Sequence, residues 1–231
     1  AADVGRLLAA GRGTVRQVTI APELPGGFEA IRLIVAAGAA AAVGHTSADA
    51  AQAERAFDAG ATILTHAFNA MPGIHHRAPG PVLTAAADHR VILEAIADNV
   101  HLDPHVIKLI FDSAPSHVAL VTDAMAAAGS ADGSYDLGTV KVTVTDGIAR
   151  ADDTGSIAGS TLTQDVALQR AVQAGVSLVD AVRALTETPA TAIGYGAELG
   201  QIAPGYLGDA VILDAQLHVM HVQTGAIPAR R

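Results

Sequence analysis

From the start of the chain to about residue 125, short apolar runs alternate with Ala-rich stretches of helical periodicity. The runs Val15–Ala21, Ala40–Gly44, Ala61–His66, Val91–Ala97 and Val118–Thr122 lack polar alternation, as strands buried on both faces do. Between them the pattern predicts helices over Phe28–Ala37, closed by Gly38, over Ser47–Ala59, closed by Gly60, and over Pro104–Ser113, with proline in the first turn. This alternation implies βαβ units with right-handed crossovers and a parallel sheet, hence an α/β fold. Beyond residue 125 the texture changes. Tyr135–Val144 and Gly147–Asp152 read as an antiparallel excursion turning at Thr145-Asp146-Gly147. Helices resume over Thr163–Ala174, closed by Gly175, then over Leu178–Thr186 and Pro189–Ile193. Gly208–Asp214 and Leu217–Val222 read as short strands of a separate small sheet. Five parallel strands are fewer than the eight of a closed barrel, so a doubly wound open sheet stands beside a partial barrel as the fold-level alternative.

Composition sets the frame for the chemistry. The chain has 231 residues, half of them hydrophobic and 16% charged, enough to bury the core of one α/β domain. A net charge of −9 with scattered basic residues argues against nucleic acid as a partner. The absence of cysteine excludes disulfides, iron–sulfur clusters and thiolate catalysis, leaves His, Asp and Glu as the metal ligands, and fits a cytoplasmic setting. No apolar run reaches the length of a membrane span, and the first residues carry no signal-peptide pattern.

Three of the strand-like runs end on a side chain able to bind a metal or move a proton: His45, His66 and Asp123. Side chains gathered at the carboxyl ends of parallel strands converge at the mouth of a barrel, where catalytic sites lie. His45 and His66 are 21 residues apart, about one strand–helix unit, so they can face each other from adjacent strands. Taken singly, each also reads as a hydrogen-bonded structural histidine. Asp123 is a candidate general base and acid for water attack and amine departure, or a turn aspartate. Asn69 and Arg77 follow His66 in a Gly- and Pro-rich loop, where Arg suits a phosphate or carboxylate and also reads as simply solvated. Asp98-Asn99-Val100-His101 repeats the strand-end pattern with a histidine suited to substrate. Ile157-Ala158-Gly159-Ser160 is a small-residue turn that lets backbone approach a ligand, or a turn and nothing more.

Together, Gly44-His45-Thr46-Ser47, Thr65-His66-Ala67-Phe68-Asn69-Ala70-Met71, Asp98-Asn99-Val100-His101, Val121-Thr122-Asp123-Ala124 and Ala158-Gly159-Ser160 resemble the N-acetylglucosamine-6-phosphate deacetylases of the amidohydrolase superfamily. The resemblance runs in order from Thr19-Ile20-Ala21-Pro22-Glu23 to Leu207-Gly208-Asp209-Ala210. It implies a partial (β/α)8 TIM-type barrel over 1–203, and strands of a small β-sandwich domain over 204–231. It also implies hydrolysis of the acetamide of N-acetylglucosamine 6-phosphate with a divalent metal ion, zinc first and iron(II) or manganese(II) as alternatives. In that family His45 and His66 correspond to metal ligands and Asp123 to the catalytic acid/base. Asn69, Ala70, Arg77, His101 and the segment Ile157, Ala158 and Gly159 correspond to substrate contacts, and the assembly to a homodimer.

One departure matters. The family's metal-binding glutamate lies in a His-Leu-Glu-Gly-Pro type motif that this sequence does not contain. Glu23 belongs to a different family segment and is not its substitute. The chain is therefore expected to be N-terminally incomplete, with an open sheet edge, weak metal binding and little activity by itself. The competing readings are another amidohydrolase acting on a cyclic amide or N-acyl amino acid, and a non-catalytic sugar-phosphate binder. Against the first, neither Lys108 nor Lys141 lies at a strand end to bridge two metals.

Overall fold

In the computed structural model, which describes residues 1–225, five parallel strands lie side by side in chain order: β1 (Gln17–Ile20), β2 (Ala40–Val43), β3 (Ala61–Leu64), β4 (Ile92–Ala95) and β5 (Val118–Leu120). Sequential order without reversal is the signature of a singly wound barrel wall. A doubly wound sheet would reverse direction at a switch point, and that alternative is set aside. The fold is thus an α/β partial barrel. The wall ends at β1, whose four residues are only half-buried, whereas β2 to β5 are buried almost throughout.

Side chains alternate across this wall with a period of two. Ala41, Val43, Leu93, Ala95, Val118 and Leu120 pack outward into one core with the helices that connect the strands. The inner positions include Gln17, Thr19 and Glu94, and they are tied pairwise. Gln17 Nε2 donates to Glu94 Oε1 at 2.8 Å, and the Thr19 and Thr65 hydroxyls lie 3.0 Å apart. The apolar runs therefore conceal a polar inner layer that their average hydrophobicity does not reveal.

The connecting helices are α1 (Ala2–Gly11), ahead of the first strand, then α2 (Gly27–Ala36), α3 (Ala50–Asp58), α4 (Gly80–Ala87) and α5 (Pro104–Ser113). Gly38 and Gly60 follow α2 and α3 with φ of 77° and 107°, the left-handed geometry that a helix-terminating glycine supplies. Asp49 and Gln52 form a capping box at the start of α3, which begins three residues later than the sequence pattern places it. Two helices are absent from the sequence expectation. α4 runs Gly-Pro-Val-Leu-Thr-Ala-Ala-Ala, apolar on every side and without an amphipathic stripe, while α1 buries none of its residues.

The excursion after β5 is a three-stranded meander rather than two strands. β6 (Gly133–Leu137) turns through Gly138 and Thr139 into β7 (Val140–Thr145), which turns through Asp146 and Gly147 into β8 (Ile148–Ala151). Gly138 stands at φ 60°, and the expected long strand breaks there. Asp146 and Gly147 both have positive φ, as a two-residue hairpin turn with the sheet's twist requires. The chain then passes through α6 (Gln164–Gln173), α7 (Leu178–Arg183) and α8 (Glu187–Ala192). It ends in an antiparallel pair, β9 (Ala210–Leu213) and β10 (Val219–Gln223), largely exposed. Residues 226–231 of the expected small β portion lie outside the described residues. No helix among those described is long and apolar enough to cross a membrane.

Candidate active site

The carboxyl ends of the strands carry the chain's unusual backbone. His45, His66, Asn99 and Asp123 all adopt positive φ (46°, 33°, 60° and 49°), as do Phe68 and Ala70 in the loop after β3. For non-glycine residues this conformation costs on the order of 1–2 kcal/mol, and such strain persists where function requires a side chain to be aimed. Here it turns several strand ends toward one cleft.

His45 and His66 meet there. Their Nε2 atoms are 2.9 Å apart and the rings stand edge to face, with centroids 4.6 Å apart. Among the described residues this is the only hydrogen bond either ring makes, and His66 Nδ1 is buried without a partner. Buried side-chain polar atoms ordinarily have a hydrogen-bond partner, and His66 Nδ1 is an exception. Burial and the neighbouring His66 press the His45 ring below the usual histidine pKa, against the pull of the Asp123 carboxylate. The shift favours the neutral ring, which is the form that binds metal. The donor set fits a divalent ion as two of its ligands. Among the described residues no third His, Asp or Glu joins them, where catalytic zinc ordinarily has three protein ligands.

Asp123 stands where β5 runs out, and the expected small-residue turn docks beside it. Ser160 N donates to Asp123 O at 2.8 Å, Met125 N donates to Ser160 O at 2.9 Å, and the Ser160 hydroxyl donates to Thr122 O. Gly159, at φ 68°, approaches so closely that an added Cβ would lie 3.1 Å from Asp123 O.

His101 reaches the cleft from the segment that follows β4, with its orientation fixed. Its Nδ1 lies 2.7 Å from Asp98 Oδ2, and Asp98 Oδ1 accepts the backbone N–H groups of Val100 and His101. Burial raises the Asp98 carboxyl, but these bonds prevail and hold it below its ordinary range. The carboxylate thus favours the proton on Nδ1 and leaves Nε2 as the working atom.

His45, His66, Asn69, Ala70, His101, Asp123, Ile157, Ala158 and Gly159 all line one cleft of about 440 Å³. Arg77 does not. It lies on an exposed loop that closes on itself between His75 and Ala78, and its guanidinium meets His76 Nε2 at 2.6 Å. Asn69 lines the cleft but turns its amide donors back to the carbonyls of His66 and Ala67. Among the described residues the two side chains thus bond to neighbours of their own loops.

Several residues of the site went unread in the sequence. Met125 and Leu137 form an apolar wall, the latter carried in by the β6–β7 hairpin. Asp98 orients His101 from a motif whose histidine alone drew attention. Glu94, next to the strand end that bears His66, is half-buried, and desolvation raises its carboxyl despite the bonds from Gln17 and the His66 backbone. Only the break of Glu94 into an otherwise apolar run could have signalled it.

Known proteins with similar sequence and shape share this arrangement of elements. Residues 4–228 match the model of the amidohydrolase family. N-acetylgalactosamine-6-phosphate deacetylase of Escherichia coli O157:H7 is 38% identical over 222 residues, 96% of this chain and 59% of that protein. The putative N-acetylgalactosamine-6-phosphate deacetylase of Escherichia coli (strain K12) is 39% identical over 158 residues, 68% of this chain and 94% of that protein. The crystal structure of N-acetyl-D-glucosamine-6-phosphate deacetylase from Mycobacterium smegmatis superposes with a TM-score of 0.91 at 44% identity, covering 96% of this chain and 60% of its own. The chain thus spans about three-fifths of the length of the first and last of these.

Proposed function

The chain belongs to the amidohydrolase family, and from that premise we propose that its cleft is the catalytic face of an amino-sugar-phosphate deacetylase, hydrolysing the acetamide of N-acetylglucosamine 6-phosphate to glucosamine 6-phosphate and acetate. The observation that carries this reading is the convergence of His45, His66 and Asp123 from three strand ends onto one cleft. A divalent ion held by His45 and His66 would supply Lewis acidity to the acetamide carbonyl and make water easier to deprotonate, with zinc the first choice and iron(II) or manganese(II) the alternatives. Asp123 takes the proton from the attacking water and returns it to the amide nitrogen as the C–N bond breaks. His101, oriented by Asp98, offers Nε2 to a sugar hydroxyl or, when protonated, to the developing oxyanion. The turn 157–159 and the wall of Met125 and Leu137 exclude water and seat the sugar.

Two histidines alone hold a divalent ion weakly, so the 231 residues by themselves are expected to turn over slowly. Arg77 as a phosphate clasp, a homodimeric assembly, a cytoplasmic setting and the division at residues 203/204 belong to the same proposal. If Arg77 clasps phosphate, Arg77→Ala costs about 1.5–3 kcal/mol on the phosphorylated sugar and nothing on the unphosphorylated one. A second reading, the galacto epimer as substrate, is favoured by the Escherichia coli relatives. The test is acetate release from both epimers by the product of the complete reading frame. Higher kcat/KM on the gluco sugar supports the proposal, preference for the galacto sugar selects the second reading, and no acetate from either with zinc, iron or manganese overturns both.

A further inference from the structure

Glu23, set aside as a metal ligand, has a different task. It lies beyond the end of β1, and its carboxylate reaches across to the end of β2. Oε2 accepts from the Thr46 hydroxyl at 2.5 Å, and Oε1 accepts from the Ser47 backbone N–H at 2.7 Å and the Ser47 hydroxyl at 3.1 Å. Thr46 is 4% exposed, and its own N–H donates to Ala70 O at 3.0 Å while its hydroxyl accepts from Ala48 N–H at 2.9 Å. The residue after His45 is therefore gripped from both neighbouring strand ends, by Glu23 on one side and by Ala70 on the other.

The two histidines need different support. His66 is 6% exposed and fixed by its surroundings. His45 is exposed, sits in a left-handed backbone conformation, and among the described residues its ring bonds only to His66. Its aim depends on the turn that follows it. We propose that Glu23 is a positioning residue: it clamps the Thr46-Ser47 turn so that His45 Nε2 faces His66 Nε2. The consequence for metal affinity rests on reading this pair as metal ligands, whereas the consequence for ring geometry does not. Burial raises the Glu23 carboxyl, yet the bonds from Thr46 and Ser47 outweigh it and keep it below the usual range, so the clamp is charged at neutral pH. Carboxylates that orient the ligands of a metal commonly govern its affinity by about 10- to 100-fold.

The test uses the 231-residue chain with Glu23→Gln, which keeps shape but turns a donor toward donors, and Thr46→Val, which removes one hydroxyl. Thr46→Ser, which keeps the hydroxyl, is the rescue. Three quantities are read: the ring-to-ring NOE between His45 and His66 in the metal-free protein, Zn2+ affinity by chelator competition, and the melting temperature. The proposal expects the NOE to weaken and Zn2+ affinity to fall about 10- to 100-fold in Glu23→Gln and Thr46→Val, with wild-type values in Thr46→Ser. Lower melting temperature with NOE and affinity unchanged makes Glu23 a loop staple and overturns it, as does the absence of the NOE in the wild type. If the wild type shows the NOE but binds no Zn2+, and Glu23→Gln loses the NOE, the clamp stands and the metal reading fails. Should Glu23→Gln not fold, Thr46→Val and Thr46→Ser decide by the same readouts.

Discussion

Adding a single methyl group to Gly44 should pull the histidine pair apart. Gly44 is the buried residue between β2 and His45, and a Cβ built there would lie 2.7 Å from Thr65 Cβ and 2.8 Å from Thr19 Cγ2. Carbon atoms normally approach to about 3.5–4.0 Å, so the neighbours must yield by roughly 1 Å. Both obstacles are β-branched and locked by the 3.0 Å contact of their hydroxyls, and Thr65 N is bonded to Val43 O at 2.8 Å. The strand ends must therefore spread. Because Gly44 precedes His45 and Thr65 precedes His66, the spread falls on the pair, widening its 2.9 Å separation beyond hydrogen-bond range. Overpacking of this kind costs about 1–3 kcal/mol, which for a chain of this size lowers the melting temperature by roughly 2–12 °C. Gly38→Ala is the matched control. Gly38 has φ 77° with nothing within 4 Å of an added Cβ, so the change strains a helix end without touching the site. The assay is thermal unfolding by circular dichroism beside Zn2+ titration. Gly44→Ala should lose both stability and Zn2+ affinity, Gly38→Ala stability alone. Wild-type melting and Zn2+ affinity in Gly44→Ala would refute the steric reasoning.

Other consequences are as readily measured. Asp123→Asn should lower acetate release by about 10²- to 10⁴-fold with substrate affinity largely kept, read by steady-state kinetics on the complete reading-frame product, and wild-type rates would remove Asp123 from proton transfer. Gly159→Ala forces a left-handed alanine against Asp123 O and should cost on the order of 1–2 kcal/mol of stability while lowering kcat more than it raises KM; a change in KM alone would leave the turn as a binding loop only. Asp98 has a folded pKa below its ordinary 3.8, so it contributes stability that is present above that value and lost as pH falls through the lower folded one. Denaturant unfolding of wild type and Asp98→Asn should therefore differ by a constant amount near neutrality, and the difference should shrink below about pH 4. A gap that grows on acidification would contradict the assignment.

The strand ends were legible because chemistry interrupts hydrophobicity there. A run such as Ala61–Leu64 followed by Thr65-His66 announces both a buried strand and the polar group it delivers. Glycines marked the ends of α2 and α3 for the same local reason, that few other residues adopt φ near 77° or 107° without cost. What stayed hidden was set by tertiary partners. α4 packs against α3 and shows Leu83 and Ala87 to solvent, so it has no polar face and its sequence looks like loop or strand. The Gln17–Glu94 and Glu23–Thr46 bonds join residues 77 and 23 positions apart, so no local pattern foretells them. Arg77 is a separate case. Its chemistry and its closeness to His66 in sequence suggested the cleft, but the Gly- and Pro-rich loop carries it to an exposed position outside.

X-ray absorption at the zinc edge tests the histidine pair most directly. In the Zn2+-loaded chain the fine structure should report two imidazole ligands, and His45→Ala or His66→Ala should each remove one and weaken binding. An unchanged imidazole count and affinity in the double variant would mean that the ion is held by other histidines, and the metal centre at the ends of β2 and β3 would be disproved.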